Sequence, residues 1–142
     1  MSYSSKLKKE LCAVIPSARH CDIAEITALT MYIAKFEISN GKTKSVIINT
    51  ESHDIAIKYF TLLKKTFNIG NDVILRKIDS FGKKSTFKLV LDDEELVKQI
   101  LSACKFPEEF KDVKKEYNVA SSIVLRQSCC KRAFIRAAFL AI

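Results

Sequence analysis

"CCKRAFIRAAFLAI", residues 129–142, repeats in outline an earlier stretch, "HCDIAEITALTMYIAKF", at 20–36. Each has cysteine at or next to its start and continues with apolar and small residues at helical spacing. In the first copy Ile23, Ile26, Ala28, Leu29, Ile33 and Ala34 predict a helix from about Asp22 to Lys35. Asp22 is placed to cap it, and Glu25, three residues on, completes the pattern of a capping box. The second copy predicts another apolar helix, starting at Ser122 or later. It is too short for a membrane span, because the run from Ala133 to Ile142 is interrupted by Arg136 and a spanning helix needs ~20 apolar residues.

The chain between the two copies alternates its periodicity. "FEISNGKTKSVIINT" has Phe36 and Ile38, then Asn40-Gly41, then Val46 and Ile48, the pattern of a hairpin with a tight turn. "ESHDIAIKYFTLLKKTFN" carries Ile55, Tyr59, Leu62 and Leu63 on one helical stripe and closes near Gly70. "DVILRKIDSFGKKSTFKLVL" repeats the hairpin logic around Ser80-Phe81-Gly82-Lys83, and "DDEELVKQILSACKF" reads as an acid-started helix. Ahead of everything, Leu7, Leu11 and Val14 mark a first amphipathic helix ending near Pro16. Two hairpins in succession, each followed by a helix, predict an antiparallel four-stranded sheet backed by helices, an α+β fold in one domain covering 1–142.

The 142 residues suffice for one core, and 48% apolar with 28% charged residues is an ordinary globular balance that excludes a disordered chain. The net charge of +8, from 24 basic and 16 acidic residues, attracts polyanions wherever it is clustered. Five cysteines, an odd number with Cys129 and Cys130 adjacent, do not make a disulfide framework. The start has no apolar h-region, so the expected compartment is the reducing cytoplasm.

Four segments carry a family resemblance: "SSKLKKEL" at the start, "AEITAL" in the first apolar helix, "YFTLLKKTF" in the middle and "CCKRAFIRAAFLA" at the end. Across essentially its whole length the chain resembles the N-terminal part of the WhiA-type sporulation transcription regulators. The resemblance implies a domain related to LAGLIDADG homing endonucleases: an α-β-β-α-β-β-α half repeated about a pseudo-twofold axis, with the motif helices packed at that axis. It implies a sheet that faces DNA as a saddle, and a helix-turn-helix domain further along the family's chains. Only the first half and the second motif helix are present in these 142 residues.

Laid on the nine motif positions, Ile26 to Ala34 form the first copy and Ile135 to Ile142 a shortened second. The position of the nuclease's metal-binding acid then falls on Ile33 and on Ile142. Neither offers the oxygen ligands that Mg²⁺ needs to activate water, so no nuclease and no catalytic residue is expected. The small residues Ala28 and Ala34 in one helix, and Ala137, Ala138 and Ala141 in the other, are expected to let the helices approach closely.

The basic residues Arg76, Lys77, Lys83, Lys84 and Lys88 fall in the second hairpin, with Lys42 and Lys44 at the first turn. They are the candidate DNA contacts, set against the plainer role of edge lysines that discourage aggregation. His20-Cys21 and Cys129-Cys130 open the two helices that the resemblance places side by side, and Zn²⁺ accepts such ligands. Neither pair has the C-x₂-C spacing, and adjacent residues point in different directions on a helix. Packing thiols are therefore the first expectation, zinc the minor one, and no cofactor is assigned. "DDEEL" at 92–96 suits a helix start better than a metal cluster.

The expected function is that of a non-catalytic DNA-binding, regulatory module of a transcription regulator linked to sporulation and cell division, associated with the nucleoid. The alternative is a protein-interaction or small-ligand module that leaves DNA to the helix-turn-helix domain. Because the closing helix lacks hairpins of its own, it is expected to pack within the chain as a monomer or to swap into a second copy.

Overall fold

The computed structural model describes residues 3–67, 69, 73–79, 81, 82, 84–106 and 123–142. Helix α1 (Tyr3–Cys12) precedes α2 (Arg19–Ile33), which runs without a loop into strand β1 (Ala34–Ser39). Strand β2 (Lys42–Thr50), helix α3 (His53–Thr66), strands β3 (Leu75–Ile78) and β4 (Thr86–Leu91) and helix α4 (Glu94–Ala103) follow, and α5 (Ser128–Ala141) comes last. The strands form one antiparallel sheet in the order β1-β2-β4-β3. From α2 onward the order is α-β-β-α-β-β-α, as the alternating periodicity predicts.

The first hairpin turns where Asn-Gly predicts. Asn40 (φ 54°) and Gly41 (φ 77°) both adopt the left-handed conformation that a tight two-residue turn of this twist requires. A register shift between Glu37 and Ile38 follows immediately inside the hairpin. The second hairpin pairs Leu75–Ile78 with Thr86–Leu91, while Ser80 and Lys83 of its expected turn, like Gly70, lie outside the described residues.

Register sorts the sheet into two faces. Phe36, Val46 and Leu91 align across β1, β2 and β4, as do Ala34, Ile48 and Leu89, with Leu75 of β3 continuing the second row. These residues meet Tyr59, Leu62 and Leu63 of α3, Ile100 and Leu101 of α4, and Ile26 and Leu29 of α2 in one core. The other face carries Lys35, Ile47, Asn49, Lys88, Val90, Arg76 and Ile78, and no described helix covers it.

Two helix boundaries differ from the sequence expectation. α1 ends at Cys12, short of Pro16, and Val14 is exposed rather than on its buried stripe. α2 starts three residues before Asp22, with Ala18 at its N-cap and no side-chain capping bond. Asp22 and Glu25 form no capping box, because both are drawn inward by cations on α3. Where capping is seen, Ser52 accepts from the Ile55 N–H and Asp93 from the Leu96 N–H, which gives the acidic start of α4 its helix-start role.

Burial pushes the Cys104 thiol, fully inside the core, from its ordinary 9.0 up to about 12, and pushes Tyr59 upward as well against the opposing effect of its hydrogen bond with Thr30. The unfolded chain releases these protons first, so stability should be intact below pH ~9 and fall as pH rises toward 12. The expected loss from Cys104 approaches about 1.4 kcal/mol per pH unit. Urea midpoints between pH 8 and 10.5 should show this slope, and Cys104→Ala should flatten it.

Candidate functional site

The seam between α2 and α5 is built from small residues at matching intervals. Cys21, Ala24 and Ala28 on α2, and Cys130, Ala133 and Ala137 on α5, are all buried, at the same steps of three and four residues. Ala28 and Ala137 share the main core, whereas Cys21, Ala24, Cys130 and Ala133 form a smaller one with Val124. Of the alanines singled out from sequence, Ala138 and Ala141 are half-buried against the core, and Ala34 has left the helix to start β1. Ala24 and Ala133 belong to the seam and were missed, although their spacing from the two cysteines was visible. The helices run in the same direction, since His20 meets Cys130 near their starts and Glu25 meets Arg136 further along.

Glu25 is the buried charge of this seam. Its Oε1 lies 2.8 Å from Lys58 Nζ and 3.1 Å from Arg136 Nε, with the Glu25 and Lys58 side chains fully enclosed. Lys58 also donates to the Leu11 and Val14 carbonyls at 3.0 and 2.9 Å, so its three protons are all used. Glu25 Oε2 has no hydrogen-bond partner among the described residues. A second pair, Asp22 with Lys65 at 2.9 Å, ties α2 to α3 near the surface. Sequence reading assigned both acids to capping. The signal for the pairs, Lys58 and Lys65 one heptad apart on α3, has meaning only once α3 lies against α2.

At the other end of the seam, Ile33 is the last residue of α2 and Ile142 follows α5. Ile142 is largely exposed, and neither side chain can bind a hard cation. His53, beginning α3, lies tilted against the Phe87 ring at 4.9 Å between centroids.

The basic residues separate into three groups. Arg76 and Lys88 are directly paired across β3 and β4 on the uncovered face, and Asn49 extends their row onto β2. No carboxylate lies within ion-pair distance of either cation among the described residues. Like charges in register repel, so the row is electrostatically incomplete on its own. Lys35 on β1 adds a further exposed cation to this face, unnoticed in the sequence because it lies at a helix-to-strand junction. Lys77 instead pairs with Phe87 in register and falls toward the helix side, 3.8 Å from Asp79. Lys42 and Lys44 line a hollow shared with Asp92, Glu94 and Lys98 near the start of α4. Lys84 is exposed beside the second turn, and Lys83 lies outside the described residues.

The two ends of the sequence pattern "HC…CC" do converge. His20 Nδ1 lies 3.2 Å from Cys130 Sγ, 3.5 Å from Cys21 Sγ and 3.7 Å from Cys129 Sγ. The four potential ligand atoms all lie within 4.8 Å of one another. Each helix contributes an adjacent pair, and the seam rather than a single turn brings them together.

Glu25→Gln should destabilise the chain by about 3–5 kcal/mol, since it leaves Lys58 buried without a counter-charge. Denaturant unfolding should show this loss as a lower midpoint, and Arg136→Gln, at a partly exposed position, should cost less.

Comparison with known proteins agrees with this architecture. A family model described as the WhiA N-terminal LAGLIDADG-like domain matches residues 19–106. A protein of Lachnoclostridium phytofermentans named "Probable cell division protein WhiA" is 40% identical over 142 residues, covering 99% of this chain and 45% of the relative. One of the same name from Desulforamulus reducens is 30% identical over 140 residues, with 99% and 43% covered. The chain thus spans less than half the length of these relatives. Among solved structures, full-length DUF199/WhiA from Thermatoga maritima superposes with a TM-score of 0.59 at 15% identity, over 99% of this chain and 39% of that one. The isolated N-terminal LAGLIDADG domain of DUF199/WhiA gives 0.58 at 17%, over 99% and 58%. The order of elements, the paired helices at the seam and the family match together place this chain in the WhiA family, in the region of its N-terminal LAGLIDADG-like domain.

Proposed function

We propose that this chain is a non-catalytic DNA-binding module of a WhiA-type regulator linked to sporulation and cell division, acting at the nucleoid. The observation that carries the reading is the sheet face that no described helix covers, with Arg76 and Lys88 in register and without acidic partners among the described residues. A phosphate backbone supplies the charge that this pair lacks, and Asn49 adds a neutral hydrogen-bonding group to the same row. Lys35 widens the cationic surface toward β1, while Lys84 and the other lysines of the second hairpin border it. Ile33 and Ile142, at the positions of the motif's acid, support a scaffold without cleavage chemistry. The cell-division part of the reading rests on the names of the longer relatives. The reading takes the chain as a monomer, with α5 closed against its own α2.

Backbone contacts of this kind give affinity more than sequence choice. The helix-turn-helix domain that the family carries further along would then read sequence, with this face adding affinity. The alternative, a protein-docking face, draws support from Ile78 and Val90, both exposed on the same side of the sheet.

Binding to a short duplex, titrated against salt, separates the two. The double variant Arg76→Ala, Lys88→Ala should flatten the slope of log affinity against log salt by about 2, as expected for two lost phosphate contacts. Lys98→Ala on α4, across the sheet, should leave it unchanged. No binding at low salt, or a slope indifferent to the double variant, would reject the DNA reading of this face. Cleavage of the duplex in Mg²⁺ would reject the non-catalytic part.

A further inference from the structure

We propose that His20, Cys21, Cys129 and Cys130 form a structural zinc site that fastens the start of α2 to the start of α5.

The geometry first argues against a simple hydrogen-bonded cluster. One imidazole Nδ1 donates or accepts a single hydrogen bond, yet three sulfurs surround this one at 3.2–3.7 Å. Cys129 has a partner in Gln127 Oε1 at 3.5 Å, and Cys130 one in the His20 carbonyl at 3.8 Å. Those bonds leave the convergence on Nδ1 unexplained. A tetrahedral centre explains it. With Zn–S of about 2.3 Å and Zn–N of about 2.0 Å, the N–S edges of a ZnNS₃ tetrahedron are about 3.5 Å, close to the 3.2–3.7 Å around Nδ1. Its S–S edges are about 3.8 Å, within reach of four ligand atoms that lie within 4.8 Å of one another.

The donor set selects the metal. Three thiolates and an imidazole suit zinc and not Mg²⁺ or Ca²⁺, which take oxygen ligands. Four protein ligands leave no open position, as in structural sites rather than catalytic ones. Binding releases three thiol protons and leaves a neutral imidazole, so the centre carries a net charge of −1. That charge lies where the parallel helices bring two positive dipole ends together, and it offsets their repulsion. Cys130 is buried in the smaller core, whereas His20 is exposed and gives the ion a way in. The proposal is independent of how the sheet face is used.

The test is the zinc content of the purified, reduced chain, with cobalt(II) as a spectroscopic probe. One equivalent of zinc per chain is expected, and cobalt should give the intense visible absorption of a tetrahedral thiolate site. His20→Ala, at an exposed position that the fold tolerates, should weaken binding by more than the roughly 10- to 100-fold typical of losing an outer-shell partner. Cys130→Ser should do at least as much, and Cys12→Ser, elsewhere, should change nothing. Chelation should lower the thermal midpoint of the wild-type chain, and added zinc should restore it. Substoichiometric zinc without a cobalt spectrum would overturn the proposal. So would metal retained unchanged by the His20 variant, or a disulfide among these cysteines in the freshly purified chain.

Discussion

A fully enclosed carboxylate sets the terms for the rest of this molecule. Glu25 Oε1 is approached by Lys58 from α3 and Arg136 from α5, and Lys58 spends its remaining protons on the carbonyls that end α1. Three helices therefore meet at one oxygen, and α1 joins them through Lys58. Enclosed pairs contribute little net stability because desolvation offsets the attraction, but they are intolerant of displacement. Sliding α5 by a turn, about 5.4 Å, would separate Arg136 from Glu25 and leave the enclosed carboxylate with Lys58 as its one cation among the described residues. An alanine-rich seam tolerates several registers through shape alone, so this node is the feature that makes one register the right one.

The sheet inherits its position from the same node. α2 ends at Ile33 and β1 begins at Ala34, so fixing the helix fixes the first strand with no intervening loop. The rows of β2, β4 and β3 follow from backbone pairing, which puts Arg76 against Lys88 on the side away from the helices. The cationic face is thus a consequence of helix packing on the opposite side.

Much of this was legible in the residues. Asn40-Gly41 announced its turn, the stripe of Ile55, Tyr59, Leu62 and Leu63 announced α3, and the alternation of Phe87, Leu89 and Leu91 with Lys88 gave both faces of β4. Local patterns of this kind are settled by neighbours in sequence. Partnerships across the fold were not legible. Asp22 and Glu25 read as a capping pair because their cations lie on another helix, and the cysteines read as badly spaced because their partners lie 110 residues away. Lys77 was grouped with Arg76 because adjacent residues look alike in a charge count, whereas a strand sends them to opposite sides.

The distance between the seam's two halves also has a consequence in time. At synthesis rates of roughly 5–20 residues per second, α5 leaves the ribosome about 5–20 s after α2. During that interval the sheet and α3 can assemble from contacts close in sequence, but the face of Ala24 and Ala28 has nothing to cover it. Arg136, the second cation of Glu25, arrives in the same late segment. Until then the nascent chain is an open half-structure, and its seam closes only once α5 has emerged.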